Sequence, residues 1–337
     1  HKAHKSILHN LPFVPSCLRV MYLGINCLVT LINSFSPQIN RRCPVCGEKT
    51  PTCSLCRFLE RTYRQCSRCG VIFMDRICPP PVEYEREYFF DFYKKQYGKT
   101  YLEDFPNIKA AGKRRLKIIK SLLPASGQRT FGSNSLLDIG CAYGPFLDAA
   151  CEEGFSPAGI DPAEDAVRYV QETLGIPAVH GLFPDCLAHH SQSTAHCSLF
   201  TVHYNVITLW YVIEHFTNCA GVLAEIKNLL KPGGILAFST PSFSGISGRS
   251  SLRRFLANSP ADHRTIWSPV MCRKALAIAG FKVKKITING HHPERFPVLG
   301  KFAKSKKNSL HWLLLTISKI FRLGDTFEVY AQLQEKT

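Results

Sequence analysis

Three sets of residues in this chain have types and spacings that do chemistry in other settings. The first is Asp138, Gly140, Cys141, Ala142 and Gly144, followed by Gly159, Ile160, Asp161 and Pro162. Glycines at 140 and 144 let the backbone turn sharply and approach a ligand where a Cβ would intrude. Asp161 stands 21 residues beyond Gly140, at a strand end where a carboxylate can accept both hydroxyls of a ribose. An adenosine-containing ligand follows. A dinucleotide fingerprint wants glycine at its first, third and sixth positions, but those places hold Gly140, Ala142 and Pro145, which disfavours a pyrophosphate. Asp138, just ahead of the turn, would repel phosphates and suits an ammonium or a sulfonium.

The second set is cysteine. Cys43 and Cys46, then 19 residues, then Cys66 and Cys69 match the spacing of a zinc ribbon. Each pair is followed by glycine, Gly47 and Gly70. Four thiolates complete a tetrahedral shell, so such a Zn2+ site is structural rather than hydrolytic. Cys53 and Cys56 lie between the pairs as alternative ligands or as bystanders on the hairpin; the outer pairs are preferred for their C-x-x-C-G form. The third set is Glu214-His215, joined by Asp262-His263 near Trp267. His215 is the first candidate for general base, since an imidazole titrates at about 6.5; the alternative is a histidine that shapes the pocket through Glu214 or the backbone. His263 beside Asp262 is a second acid/base candidate, or part of a helix N-cap cluster.

The elements needed to position these residues can be read from periodicity. A strand at 135–139, a helix at 145–153 and a strand at 157–160 form a βαβ unit, with a further helix at 163–174 and a strand at 178–180. Val206–Trp210 is a continuous apolar run of the kind buried on both faces of a parallel sheet. Its carboxyl end, Leu209 and Trp210, should border the ligand, because ligands in open α/β sheets lie outside that edge. A helix is expected to start at Val212, another to span 221–230, and strands to follow at 235–240, 281–288 and 326–333. Between the last two lie a basic tract and an apolar helix, 310–321, suited to a lid, a dimer surface or a membrane surface. Upstream, 108–123 reads as a basic amphipathic helix with Leu116, Ile119, Leu122 and Leu123 on one face. Residues 83–105 hold nine aromatics, either a lid or a helical pair packed on the main body.

The chain has 337 residues, 45% of them hydrophobic, and a formal charge of +17. On the prior of about 150 residues per domain this is roughly two domains. The charge suggests an anionic partner, or basic solvated faces on an enzyme; part of it is local, with eight Lys/Arg against one acid in 281–307. Fifteen cysteines, several in C-x-x-C pairs, point to a reducing, cytoplasmic compartment with a metal site rather than a disulfide framework. The chain begins at His1 rather than Met, and residues 1–40 are expected to be an extension or leader. The apolar run within them, Val20–Ile32, is too short to span a bilayer.

The D-x-G-x-A-x-G pattern at 138–144 closely resembles motif I of the class I S-adenosylmethionine-dependent methyltransferases, and G-I-D-P at 159–162 resembles their ribose-binding strand end. L-L-K-P-G-G-I-L at 229–236 is similar to the segment that follows in that family, and Glu214-His215 matches its E-H pair. The departures are Ala142 for the middle glycine and Asn205 for an acid. The resemblance implies a doubly wound α/β, Rossmann-like sheet of seven strands, with a small N-terminal zinc-ribbon-like module as in sugar C-methyltransferases and ubiquinone-biosynthesis O-methyltransferases. It implies domains at 41–78 (zinc module), 79–107 (aromatic linker or lid) and 108–337 (catalytic), with Leu182 and Phe183 beside the adenine. The cofactor would be S-adenosylmethionine and the acceptor a small molecule, methylated by direct displacement at oxygen or carbon. An RNA acceptor, or an adaptor with a degenerate pocket, are the rival readings.

Overall fold

The computed structural model describes residues 42–49, 53–77, 93–123, 134–189 and 203–334. The expected extension at 1–40 and the first part of the aromatic stretch lie outside the described residues. Strands are β1 (Cys53–Arg57), β2 (Arg61–Gln65), β3 (Ile72–Ile77), β4 (Asn134–Ile139), β5 (Phe155–Asp161), β6 (Ala178–His180), β7 (Tyr204–Trp210), β8 (Leu230–Pro241), β9 (Thr265–Ile266), β10 (Phe281–Asn289) and β11 (Thr326–Leu333). The helices that matter below are α1 (Tyr93–Tyr97), α2 (Tyr101–Leu122), α3 (Pro145–Glu152), α4 (Glu164–Glu172), α5 (Cys186–His189), α6 (Cys219–Leu229), α7 (Ile246–Ser250), α8 (Leu252–Asn258), α9 (Pro269–Ile278) and α10 (Ser309–Ile320).

Seven strands form one sheet in the order β6-β5-β4-β7-β8-β11-β10. The five from β6 to β8 run parallel, and β11 and β10 join antiparallel. This is the doubly wound, Rossmann-like arrangement expected from the sequence. Leu136 to Ile139 in β4 and Val206 to Leu209 in β7 are buried because helices cover both faces of the sheet, which is why these strands are largely apolar, Asp138 and Thr208 being the polar exceptions and bonded to each other. The strand order reverses between β4 and β7, and ligand crevices open at such a switch point.

Helix α2 starts at Tyr101, ahead of the expected Ile108. Thr100 accepts from the Glu103 amide while Glu103 returns a bond to the Thr100 amide, a capping box that supplies two partners for orphaned N–H groups and carries the helix through Pro106. The helix therefore crosses position 107–108, where the linker was expected to end. Its Leu116 and Ile119 pack on Phe146 and Leu147 of α3 and Leu136 of β4.

The cysteine segment builds a small antiparallel sheet, β1-β2-β3, and the main body adds β9 as its fourth strand. Ile72 and Phe73 pair with Ile266 and Thr265, and the Met74 amide donates to the Arg264 carbonyl at 2.9 Å. Ile266 is buried with Tyr63, Ile72 and Leu256 in a core shared by the two parts. Truncating Ile266 to Ala should cost about 2–4 kcal/mol in urea denaturation; a loss of a few tenths would mean that this seam does not hold the parts together.

Candidate active site

The first strand of the crevice, β4, gives way to a turn whose shape is set by left-handed residues. Gly140 and Gly144 lie at φ 77° and 79°, and a Cβ on Gly140 would collide with Val212. The amides of Gly140 and Cys141 both donate to the Ile160 carbonyl, at 2.7 and 3.1 Å, so the turn is stitched to β5. Ala142 also lies at positive φ, 47°, a conformation that costs an L-residue about 1–2 kcal/mol. What holds it is its amide, which donates to Asp161 Oδ2 at 2.7 Å. Asp161 Oδ1 accepts the Ala163 amide at 2.9 Å, so the carboxylate faces the turn with lone pairs left on both oxygens.

Burial pushes the Asp161 carboxyl up to about 6, against the two amides that favour its charge. Asp138 is buried too, accepts from Thr208 Oγ1 at 2.6 Å, and is pushed by burial up to about 7. Above them stands Tyr101, at the start of α2. Its ring meets Tyr93 edge-on at 5.1 Å and Tyr143 at 6.1 Å. Its phenol is raised well above the usual range by burial, with Tyr93, Asp138 and Asp161 adding to the effect. Sequence reading marked the aromatic stretch as a whole; only the capping box that begins α2 at Tyr101 could have singled this residue out.

The remaining ligand-binding candidates fall in different settings. Cys141 is buried behind the turn, and the Pro162 carbonyl lies 3.0 Å from the His180 ring. Phe183 joins the main core, whereas Leu182 is 60% exposed. Leu209 is wholly buried in that core, so it offers the crevice only backbone. Trp210 rests on Phe146 at 5.1 Å and under the Arg115 guanidinium at 4.1 Å, and its indole N–H has no partner among the described residues.

Glu214 and His215 lie in a single 3-10 turn, Ile213–His215, not at the start of the helix expected from Val212. The chain becomes extended at Phe216, and Asn218 caps a new helix, α6, by accepting the Gly221 amide. His215 Nδ1 lies 3.0 Å from Asp262 Oδ2. Asp262 is thus paired with His215 rather than with its sequence neighbour His263. The His263 ring meets His215 edge-on at 4.8 Å. Trp267, by contrast, is fully buried and donates to Thr265 Oγ1 at 2.9 Å, a core role.

The two histidines are driven apart in protonation. Burial disfavours the charged form of His215, but the Asp262 bond and the charges of Glu214 and Asp262 outweigh it and raise its pKa. Burial and repulsion from His215 lower His263 to about 3, so that ring is neutral near pH 7. Glu214 is buried and pushed up to about 7, and its Oε2 has no partner among the described residues. With Nδ1 held by a carboxylate, His215 presents Nε2 as a proton acceptor, the division of labour that orients a base. Ligand atoms of Glu214, His215 and His263 lie within 4.8 Å of one another, so the trio also has the spacing of a cation site.

Cys43, Cys46, Cys66 and Cys69 converge with their sulfurs within 4.8 Å of one another. The Cys43–Cys69 and Cys46–Cys66 distances are 3.7 and 3.6 Å, close to the about 3.8 Å edge of a tetrahedron with Zn–S bonds of about 2.3 Å. Gly47 and Gly70, at φ 69° and 80°, return their amides to Cys43 and Cys66 and close each knuckle. Cys56 lies on β1, outside the cluster.

A sequence model described as a methyltransferase domain matches residues 110–286, just over half of the chain. The chain is 29% identical over 161 residues, 45% of its length, to the ubiquinone biosynthesis O-methyltransferase of Aeromonas salmonicida. It is 31% identical over 112 residues, 33% of its length, to the enzyme of that name from Sodalis glossinidius. These matches span 64% and 42% of the relatives, less than two thirds of their lengths. Among solved structures, a SAM dependent methyltransferase from Archaeoglobus fulgidus shares 19% identity at a TM-score of 0.48, over 72% of this chain and 98% of that one.

Three acids here, Asp138, Asp161 and Glu214, are easier to protonate folded than unfolded. The sign is fixed by proton binding: between the unfolded value near 4 and the folded value, the native state holds the extra proton, so stability falls as pH rises through that window. For Asp138 the window runs from about 4 to about 7. Asp138→Asn should therefore gain stability over the wild type as pH rises from 4 to 7.5, read as the difference in urea midpoints; a difference independent of pH would contradict the placement.

Proposed function

The chain belongs to the methyltransferase-domain family, and from that premise we propose that it moves a methyl group from S-adenosylmethionine to a small-molecule acceptor, at oxygen or carbon. The observation that carries this reading is the buried Asp161 carboxylate turned toward the Gly140–Gly144 turn. Gly140 lets Val212 pack against the turn where a Cβ would collide, and the lone pairs left on both Asp161 oxygens fit the hydroxyls of a ribose. When bound, S-adenosylmethionine supplies a methyl on a cationic sulfur.

Each residue then has a task. Asp161 accepts the ribose hydroxyls, and Asp138 offers a cationic ligand a carboxylate whose burial raises it to about 7, a penalty that the ligand's charge offsets. Tyr101 and its aromatic neighbours exclude water. His215 accepts the acceptor's proton at Nε2, and Asp262 holds the resulting imidazolium through Nδ1. Alignment supplies most of the acceleration, since near-attack geometry is worth roughly 7–11 kcal/mol. Relatives that methylate oxygen in ubiquinone biosynthesis support a small acceptor. The use of cysteine favours the cytoplasm, and among the described residues no helix is long and apolar enough to cross a membrane.

The thiolate geometry also supports a structural zinc ion on Cys43, Cys46, Cys66 and Cys69. Its influence would reach the base along β3, which pairs with β9, next to Asp262 and His263. Metal removal with a chelator, or Cys69→Ser, should lower the unfolding midpoint and reduce turnover together; full activity in metal-free, folded protein would refute the role.

Calorimetry with purified protein tests the main reading. S-adenosylmethionine should bind at pH 7.5 and about tenfold more weakly at pH 5, because a carboxyl titrating at about 6 is then mostly protonated; absence of binding at either pH defeats the proposal. His215→Ala should leave that affinity within about twofold and lower turnover by about 100-fold or more, and unchanged turnover would remove His215 as the base.

A further inference from the structure

The connection between β10 and β11 turns the usual pattern of a surface helix inside out. In α10 the inward residues are His311, Leu314 and Ser318, two of them polar. Each polar group is satisfied: His311 Nδ1 lies 2.8 Å from the Ala303 carbonyl and Ser318 Oγ 2.7 Å from His291 Nδ1. The outward face carries Trp312, Leu313 and Ile320, each more than half exposed, and Phe302 and Phe321 flank them in the same state. Of the twelve large apolar side chains exposed among the described residues, seven lie in 298–321; the other five are scattered from Leu59 to Ile278. Apolar side chains concentrated in this way mark a surface with a partner.

The segment is built rather than loose. Trp312 Nε1 donates to the Lys306 carbonyl at 2.8 Å, Asn308 Nδ2 to the Phe302 carbonyl at 2.8 Å, and Asn308 Oδ1 caps α10 at the Leu310 amide. With its one polar atom satisfied, the exposed part of Trp312 is purely apolar.

Charge names the partner. No acidic residue lies between Glu294 and Asp325, while Lys301, Lys304, Lys306, Lys307, Lys319 and Arg322 do. All six are exposed, and none forms an ion pair with a described acid. Cations ringing exposed aromatic and aliphatic side chains are the makeup of an interfacial helix on an anionic bilayer: lysines meet headgroups while Trp, Leu and Phe enter the acyl boundary. A symmetric dimer through this face would set these cations against their own copies. Trp312, Phe302 and Phe321 have faces for nucleobases, but the equally exposed Leu313 and Ile320 among them suit acyl chains instead. We propose that residues 298–322 dock the protein peripherally on membranes rich in anionic phospholipid.

Strand pairing places this surface at a useful edge. Asn289 pairs with Thr326, Thr326 with Pro241, and Ser239 with Trp210, so the segment leaves the sheet at the carboxyl ends of β7 and β8, the edge that also bears the candidate site. Docking would turn that edge toward the bilayer, an orientation suited to an acceptor dissolved in lipid. The docking itself does not depend on methyl transfer.

Co-sedimentation of the full chain with vesicles tests it. Binding is expected to vesicles of phosphatidylcholine mixed with phosphatidylglycerol and not to phosphatidylcholine alone, and to weaken in high salt. Lys304→Gln/Lys306→Gln/Lys307→Gln should weaken partition roughly 100-fold, and Trp312→Ala/Leu313→Ala should abolish it with an unchanged circular dichroism spectrum. Tryptophan emission should shift to the blue on binding in the wild type and not in Trp312→Phe, since Trp267 is already fully buried and Trp210 is packed between Phe146 and Arg115. Equal binding to both vesicles, or none to either, overturns the proposal. So does a dimer that Trp312→Ala/Leu313→Ala dissolves, or retention by polyuridylate in place of vesicles.

Discussion

A buried carboxylate bound to two backbone amides fixes the geometry on which the candidate site depends. Asp161 ends β5, and its oxygens take the amides of Ala142 and Ala163, which lie on either side of the crevice floor. The bond to Ala142 secures a residue in left-handed backbone that would otherwise relax. Without it the turn after β4 would lose its tie to the end of β5, apart from the amides donated to Ile160. Charge-assisted bonds of this kind are short and strong, which is how one side chain can offset local strain and still keep lone pairs for a ligand.

The same acid illustrates the tension built into the site. Asp138, Asp161 and Glu214 are all buried, and burial disfavours the ionised form of each. A protein selected only for stability would not place three carboxyls this way. Within the protein, the Thr208 hydroxyl offsets part of the penalty at Asp138, the amides of Ala163 and Ala142 part of that at Asp161, and the His215 charge part of that at Glu214. Perturbed acids gathered at a strand switch point are what a site held ready for ligand looks like.

A second constraint runs through the cysteine module. β9 contributes just two residues to the small sheet, yet only Arg264 separates them from Asp262 and His263, and the Arg264 amide donates to the Glu214 carbonyl at 2.7 Å. The loop that carries the partner of His215 is thus clamped between the module on one side and the 3-10 turn on the other. Ala220 adds a further tie, its amide donating to the Pro44 carbonyl in the first cysteine knuckle at 2.8 Å. Such contacts couple the conformation of the cysteine cluster to the geometry around His215.

What the amino-acid sequence determined by itself was local and periodic. The glycine-bearing turn, the acid at the end of the next strand, the continuous apolar strands and the cysteine pairs lie within short spans of chain, where backbone conformation and ligand spacing obey short-range rules. The seven-stranded sheet was implied by the resemblance those motifs carry, and its order is fixed by the strand pairings. The tertiary structure alone decided which side chains meet across long separations. Asp262 pairs with His215 from 47 positions away. Tyr101 packs on Ala142, Tyr143 and Ala163 from another element, Leu209 turns into the core while Leu182 faces solvent, and β9 completes a sheet begun by the cysteine module. Side-chain direction in an irregular loop depends on what packs behind it, and no pattern of neighbours along the chain encodes that.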